Sequence, residues 1–290
     1  MNIAILSRGE QLYSTQSLIK AAQARNHNVA VIDPVYCKLV IEQGKPVVIY
    51  KNEPVTDLHA IIHRIGASNT YFGSSVVRQF EAMGVFTTVS SEAIITSRDK
   101  WTSFQLLSKA ELAVPKTVLG NLKDPNALLS EFDSYPIIIK LLKGTHGEGV
   151  ILSETRQNAL STLETLNGLN SRYLLQEYIA ESKGTDLRVI VVDGVVVAAM
   201  KRQSKADDFR SNLHRGGSSS NVTLTYQEEA LARRAAKVLK LGACGVDILQ
   251  SERGPLVLEV NSTPGLEGIE TTTGKNVARS IIGYIERNKK

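Results

Sequence analysis

Acidic side chains interrupt two apolar runs near the C-terminal end of the chain, and this pattern restricts the fold more than any other. The runs cover residues 246–250 and 256–260, and a turn-forming segment, 251–255, separates them. Such a pattern predicts a β-hairpin with a five-residue connection. If the hairpin is symmetric about the centre of that connection, Asp247 lies opposite Glu259.

Three oxygen-bearing side chains would then share one face of the hairpin. Because side chains alternate along a strand, Glu259 and Asn261 point the same way, and Asp247 joins them. Two such carboxylates repel each other and are costly to bury unless a cation lies between them. Oxygen ligands suit Mg²⁺, which completes its coordination with phosphate oxygens and water at nucleotide sites. The hairpin therefore indicates either a magnesium–nucleotide site or a surface hairpin whose polar groups face water.

The first ninety residues alternate between buried-strand and amphipathic-helix patterns. Strands are predicted at 3–6, 29–33, 46–50, 60–65 and 85–89, and helices at 15–25 and 73–83. This order predicts a small α/β domain with a parallel sheet. The first strand is followed by Ser7-Arg8-Gly9 and not by a G-x-G-x-x-G turn. We therefore expect this domain to help bind a substrate and not a dinucleotide.

Two lysines lie where a cation needs compensation. Asp99 is predicted to cap a helix over 100–110, which places Lys100 in the first turn, where a cation opposes the helix dipole. It is either solvated or bound to an anion. Lys140 lies inside an apolar run just before the glycine-rich segment 143–149, and burying an unpaired ammonium is costly. That segment is either a plain hairpin tip or a flap whose backbone N–H groups cover phosphates.

Charged residues also gather at the open end of a second predicted hairpin, whose tight turn is Asp193-Gly194. These residues are Asp186, Arg188, Lys201 and Arg202. They form either a salt-bridged sheet end or a cluster that handles ribose and phosphate groups. The polar loop 207–217 follows, and its guanidinium groups favour bidentate binding of phosphate or carboxylate.

Composition sets broad limits on function. The 290 residues are 42% hydrophobic and 22% charged, enough for two or three compact lobes, and the net charge of +5 favours anionic partners. Cys37 and Cys244 have no Cys or His neighbours at metal-binding spacing, so neither a zinc site nor a disulfide framework is indicated. No apolar run approaches the ~18 residues of a membrane span, and we expect a cytoplasmic protein without a membrane partner.

The order of these features resembles the ATP-grasp superfamily along essentially the whole chain. More narrowly, R-D-K at 98–100, D-F-R-S-N-L-H-R-G-G at 208–217 and E-V-N-S-T-P-G-L-E-G-I-E at 259–270 are similar to RimK-type ribosomal protein modification enzymes. The resemblance implies an α/β ATP-grasp fold with a Rossmann-like parallel-sheet domain (1–93), a central lobe with the glycine-rich flap (94–176) and a C-terminal lobe with the metal site (177–290). The two lobes would clasp ATP.

The resemblance also implies roles for individual residues. The residues implied to contact ATP are Lys100, Lys140, Glu177, Tyr178, Asp186, Arg210, Ser211 and Asn212. Asp247, Glu259 and Asn261 would hold two Mg²⁺ or Mn²⁺ ions. We further predict that Arg188, Arg202 and Arg210 stabilise the transferred phosphoryl group and the oxyanion.

The implied reaction is the addition of L-glutamate to the C-terminus of a small-subunit ribosomal protein, through an acyl phosphate. A homo-oligomer without direct nucleic-acid recognition is expected. One alternative is an ATP-grasp ligase acting on a carrier protein, a cofactor or free glutamate. The other is a non-catalytic, nucleotide-dependent module that binds ribosomes, which the positive charge would suit.

Overall fold

A computed structural model of the protein describes residues 1–120, 123–142, 149–182, 184–205 and 216–289. The strands are β1 (Asn2–Leu6), β2 (Asn28–Ile32), β3 (Cys37–Glu42), β4 (Lys45–Tyr50), β5 (Glu53–Pro54), β6 (Ala60–His63), β7 (Phe86–Thr87), β8 (Thr117–Val118), β9 (Ile137–Leu141), β10 (Val150–Ser153), β11 (Tyr173–Glu177), β12 (Thr185–Val192), β13 (Val195–Gln203), β14 (Ser218–Asn221), β15 (Ala243–Ser251) and β16 (Gly254–Asn261). The helices are α1 (Tyr13–Gln23), α2 (Thr70–Ala82), α3 (Ser91–Arg98), α4 (Lys100–Lys109), α5 (Pro125–Leu129), α6 (Arg156–Gly168), α7 (Tyr226–Val238), α8 (Glu267–Thr273) and α9 (Val277–Asn288).

The N-terminal sheet is parallel, with strand order β2-β1-β6-β7, so the predicted βαβ opening is confirmed. Ile3 and Ile5 pack into one core and Ala4 and Leu6 into another. Burial on both faces explains why β1 is apolar at successive positions instead of alternating.

The strand predicted at 46–50 lies elsewhere than expected. It forms β4 of a separate antiparallel sheet, β3-β4-β5, and its partner β3 was not predicted. Gln43 and Gly44 between these strands have φ of +49° and +75°. Two successive left-handed residues make a tight turn that returns the chain along itself, so β4 pairs with its neighbour in sequence and not with the parallel sheet.

The central sheet has the order β10-β9-β11-β8 and is antiparallel. Strands β9 and β10 form the hairpin predicted around the glycine-rich segment, whose tip, 143–148, lies outside the described residues. This sheet has its own core, in which Leu129 and Leu163 of the flanking helices pack on Ile137, Ile139 and Leu175.

The C-terminal sheet is antiparallel, with the order β14-β13-β12-β15-β16. Asp193 and Gly194 connect β12 to β13 with φ of +53° and +72°, which confirms the tight turn. Helix α7 opens with a capping box, in which the Thr225 hydroxyl accepts from the Glu228 amide and the Glu228 carboxylate accepts from the Thr225 amide. Helix α8, which begins six residues after the end of β16, was not predicted.

The first and last sheets share their cores. One cluster joins Ile3 and Ile5 to Ile190 and Ile285, and the rings of Phe86 and Tyr284 pack edge to face at 5.6 Å. This shared core holds the parallel sheet against the C-terminal sheet and α9. Both cysteines are free and buried, as expected of small apolar residues. None of the described helices is long and apolar enough to cross a bilayer.

Candidate functional site

The β15–β16 hairpin brings Asp247 opposite Glu259, as the sequence predicted. The connection, however, is shorter than predicted, since Ser251 pairs with Gly254 and leaves two residues in the turn. A bulge at Leu258 then shifts the register by one residue. Without that bulge Asp247 would face Leu258, and Glu259 would point to the opposite side of the sheet.

Arginines compensate the charge of Asp247. Its side chain is 1% exposed, and Arg188, directly opposite on β12, donates from Nε to Oδ1 and from Nη2 to Oδ2, the latter at 2.6 Å. Arg202 donates from Nη2 to Oδ2 at 2.9 Å. Burial would raise the pKa of Asp247, but these two guanidinium groups outweigh it and hold the pKa well below its usual range. The cation that this buried carboxylate requires is therefore supplied by two arginines, and the metal role of Asp247 stays a prediction.

Arg202 connects two buried aspartates. It lies opposite Asp186 in the β12–β13 register and donates to both of its carboxylate oxygens at 2.6 Å. Arg202 and Asp186 are 5% and 3% exposed. Burial opposes the charge of Arg202, but Asp247 and Asp186 together raise its pKa. The structure thus contains the salt-bridged sheet end, and a role of these residues towards ribose or phosphate stays a prediction.

Gly245 leaves room for the ion pair between Arg188 and Asp247. A Cβ at this position would lie 3.0 Å from Pro264 Cβ and 3.3 Å from Arg188 Cδ. The missing side chain leaves room for Pro264 and the Arg188 stem to lie close to the backbone of β15. This close approach explains a glycine inside a buried strand.

Glu259 and Asn261 lie on one face of β16, where Asn261 Nδ2 donates to Glu259 Oε1 at 3.0 Å. Glu259 is exposed and Asn261 half-buried, so their oxygens are accessible. Among the residues that the structure describes, no three His, Cys, Asp or Glu side chains cluster as a metal cage. One or two carboxylates, an amide oxygen and open positions nevertheless fit Mg²⁺, which takes its remaining ligands from phosphate and water.

Both predicted phosphate lysines lie near this face. Lys140, on β9, experiences the charges of Glu259, Asp247 and Lys100. Burial lowers its pKa to about 8, Glu259 and Asp247 raise it in opposition, and Lys100 lowers it further. Asp99 caps α4 through the Thr102 amide, as predicted, and Lys100 Nζ donates to the Leu142 carbonyl at 3.4 Å, on the strand side of the glycine-rich segment.

Glu177 ends β11 and joins the central sheet to the β15–β16 turn. Its carboxylate accepts from the Lys116 amide at 2.5 Å and from Arg253 Nη2. Tyr178 follows and is half-buried. Arg210, Ser211 and Asn212 lie outside the described residues. The predicted nucleotide-contacting and catalytic roles of all these residues stay predictions.

Arg98 has a structural role that the sequence interpretation missed. It ends α3 and donates to the carbonyls of Ile65 and Gly66 and to the hydroxyls of Thr70 and Thr263, the latter two at 2.8 and 3.2 Å. Burial lowers its pKa to about 10. This one side chain thus connects the loop after β6 to the segment after β16. The only sequence signal was its place in the R-D-K string.

Comparisons with known proteins match the whole chain. The model of the RimK pre-ATP-grasp domain matches residues 1–94, and that of the RimK-like ATP-grasp domain matches residues 97–285. A probable alpha-L-glutamate ligase of Halorhodospira halophila is 50% identical, covering 100% of this chain and 96% of the relative. Probable alpha-L-glutamate ligase 2 of Pseudoalteromonas atlantica is 52% identical, covering 100% and 97%.

Solved structures show the same architecture. The ATP-grasp ligase PsnB, complexed with a phosphomimetic variant of its minimal precursor, Mg and ADP, superimposes with a TM-score of 0.78 at 20% identity, covering 100% of this chain and 98% of that one. The predicted ATP-grasp fold is therefore confirmed. Because the two RimK models together span nearly every residue and the relatives match along their full length, the chain belongs to the RimK-like ATP-grasp family.

Proposed function

We propose that the protein is an ATP-dependent carboxylate–amine ligase that adds L-glutamate to the C-terminus of a small-subunit ribosomal protein. The observation that carries the ligase assignment is the β15–β16 face. It combines two carboxylates, one amide and two nearby lysines in a chain whose relatives, matched over 96% and 97% of their length, are named probable alpha-L-glutamate ligases. The ribosomal acceptor rests on the similarity of the long strings at 208–217 and 259–270 to RimK-type enzymes.

The proposed nucleotide site uses both lobes. Lys100 and Lys140 would meet the ATP phosphates, Glu177 and Tyr178 the adenine, and Asp186 the ribose. Arg210, Ser211 and Asn212 would complete the site. In this arrangement residues 1–93 form the N-terminal domain, 94–176 the central lobe and 177–290 the C-terminal lobe. Mg and ADP bound to PsnB, which has the same fold, support this use of the site.

Asp247, Glu259 and Asn261 are the residues that would hold two Mg²⁺ ions, or two Mn²⁺ ions in their place. The ions would neutralise the charge of the phosphates. Arg188 and Arg202 fix the buried carboxylate in one orientation, so this side of the site is preorganised before any ligand binds.

The chemistry follows from the poor reactivity of a carboxylate towards an amine. The acceptor carboxylate attacks the γ-phosphorus of ATP, and the bond to ADP breaks. The glutamate amine then attacks the resulting acyl phosphate, an amide bond forms, and inorganic phosphate leaves with the bonding electrons while the amine loses a proton. No protein nucleophile is needed, so the chain's contribution is positioning and charge stabilisation. Arg188, Arg202 and Arg210 are the proposed cationic stabilisers.

The test measures ADP release with ATP, Mg²⁺ and L-glutamate, with and without purified small-subunit ribosomal proteins, followed by the intact mass of each protein. A mass increase by whole glutamyl residues on one protein is the expected result. ADP release without a protein mass change would reassign the acceptor to a small molecule or free glutamate, and no ADP release would favour the ribosome-binding module. Glu259→Gln should abolish release, whereas Glu229→Gln, an exposed change on α7, should not.

The cellular location and the oligomeric state of the protein are part of the same proposal. The protein is expected in the cytoplasm, where its ribosomal acceptor would be found. It is also expected to form a homo-oligomer, and light scattering coupled to gel filtration gives the number of subunits.

A further inference from the structure

A cavity of about 170 Å³ opens at the carboxyl edge of the parallel sheet. Its lining includes Arg8, which follows β1, and Arg64, which follows β6. In the strand order β2-β1-β6-β7, the chain leaves β1 towards β2 on one side and later returns to β6 on the other. The cavity therefore lies at the topological switch point, where open parallel α/β sheets bind their ligands.

Within the described part of the chain, Arg64 has no full counter-charge, because no hydrogen bond or ion pair there engages its guanidinium. Burial lowers its pKa to about 10, and among those same residues Glu270 opposes this shift. The oxygens of Glu270 are already engaged, because Oε2 accepts from Ser17 Oγ at 2.8 Å and Oε1 from the Ala278 amide at 3.0 Å. Arg8 adds a second, exposed cation, so the cavity carries an excess of positive charge suited to an anion.

Hydrogen bonds of Arg98 connect the cavity to the segment that follows β16. The loop that lines it includes Ile65 and Gly66, whose carbonyls accept from Arg98. The same guanidinium donates to Thr263 Oγ1 at 3.2 Å, two residues beyond Asn261. One side chain, Arg98, thus separates the wall of the cavity from the segment that follows β16, the strand that carries Glu259 and Asn261.

We propose that the Arg8–Arg64 cavity is the subsite that binds a glutamyl carboxylate of the ligation reaction. Two sources share this chemistry, free L-glutamate and the acidic end of the acceptor chain. The inference rests on the proposed function, since it takes its ligand from that reaction. Ser68 and Asn69 at the cavity add a hydroxyl and an amide, which can orient a carboxylate held by a guanidinium fork.

Steady-state kinetics of Arg64→Gln and Arg8→Gln test this subsite, with Arg78→Gln on the exposed side of α2 as the matched control. Arg64→Gln should raise the KM for one glutamyl substrate tenfold or more and leave the KM for ATP within twofold. Arg8→Gln should raise the same KM by less, because Arg8 is exposed. The affected KM identifies the source as L-glutamate or the acceptor. Unchanged KM values for both, or an effect on ATP alone, would overturn the assignment.

Equilibrium dialysis separates this inference from the proposed function. The probes are labelled L-glutamate and a short synthetic peptide that ends in glutamate, each added to the parent protein and to Arg64→Gln with thermal unfolding as a check on folding. If the parent protein releases no glutamate-dependent ADP, the proposed function fails, yet loss of probe binding in Arg64→Gln would still support the subsite. Equal binding by both proteins, or no binding by the parent, would refute it.

Discussion

Replacing Arg202 by methionine should destabilise the protein strongly, because it leaves two buried carboxylates under-compensated. The substitution removes two hydrogen bonds of 2.6 Å to Asp186 and one of 2.9 Å to Asp247. These aspartates are 3% and 1% exposed, so water cannot replace the guanidinium without opening the sheet. Asp247 keeps Arg188, which limits the loss on that side.

Removing one partner of a buried ion pair costs about 3–5 kcal/mol. At roughly 2–4 °C per kcal/mol for large domains, Tm should fall by roughly 6–20 °C. Urea unfolding at pH 7 gives the free energy directly. Adding Asp186→Asn to Arg202→Met should recover part of the loss, since one of the two buried negative charges then disappears.

Arg233→Met is the control for the loss of an arginine as such. Arg233 lies 3.9 Å from Glu229 with both side chains about half exposed, and such a pair contributes about 0.3–0.5 kcal/mol. Its Nε also donates to the Gly194 carbonyl at 2.8 Å, which adds about 1 kcal/mol. If Arg202→Met cost no more free energy of unfolding than Arg233→Met, the compensation argument for the buried network would be refuted.

Three further changes test other parts of the structure. Gly245→Ala should lower the free energy of unfolding by about 1–3 kcal/mol, because the new Cβ meets Pro264 at 3.0 Å, and equal urea midpoints would contradict this crowding. If Lys140 contacts the phosphates, ATP binding should weaken between pH 7 and 9, since its pKa of about 8 means that the ammonium is lost in this range. The calorimetric Kd of Lys140→Arg for ATP should not depend on pH there, because arginine stays charged. If the variant kept the pH dependence of the parent, Lys140 would be excluded as its source. Hydrogen bonding from Arg25 lowers the pKa of Glu286 to about 2, so its stabilising contribution is present above pH ~4.5 and lost as pH falls towards 2. Glu286→Gln should therefore be less stable than the parent in urea at pH 7, and this difference should shrink as pH falls from about 4.5 to 2, so a constant difference would rule out the linkage.

Local patterns were sufficient for most elements that position the candidate site. The Asp99 cap and the Asp193-Gly194 turn depend on neighbouring residues alone, and both are present as predicted. The pairing of β4 was not predictable from its own apolar pattern, because that pattern does not say which strand will be its neighbour. Helix α8, which lies between β16 and α9, was not predicted from the sequence.

The sequence by itself determined the family and the residue types of the candidate site, because the spacing of Asp247, Glu259 and Asn261 is written along one hairpin. Only the tertiary structure decided what balances Asp247. Arg188 and Arg202 are 59 and 45 residues away in sequence, and the order of strands in the sheet brings them opposite. The bulge at Leu258 likewise depends on pairing and not on composition. Charge compensation acts over a few ångströms in space, and a linear chain does not reveal those distances until it folds.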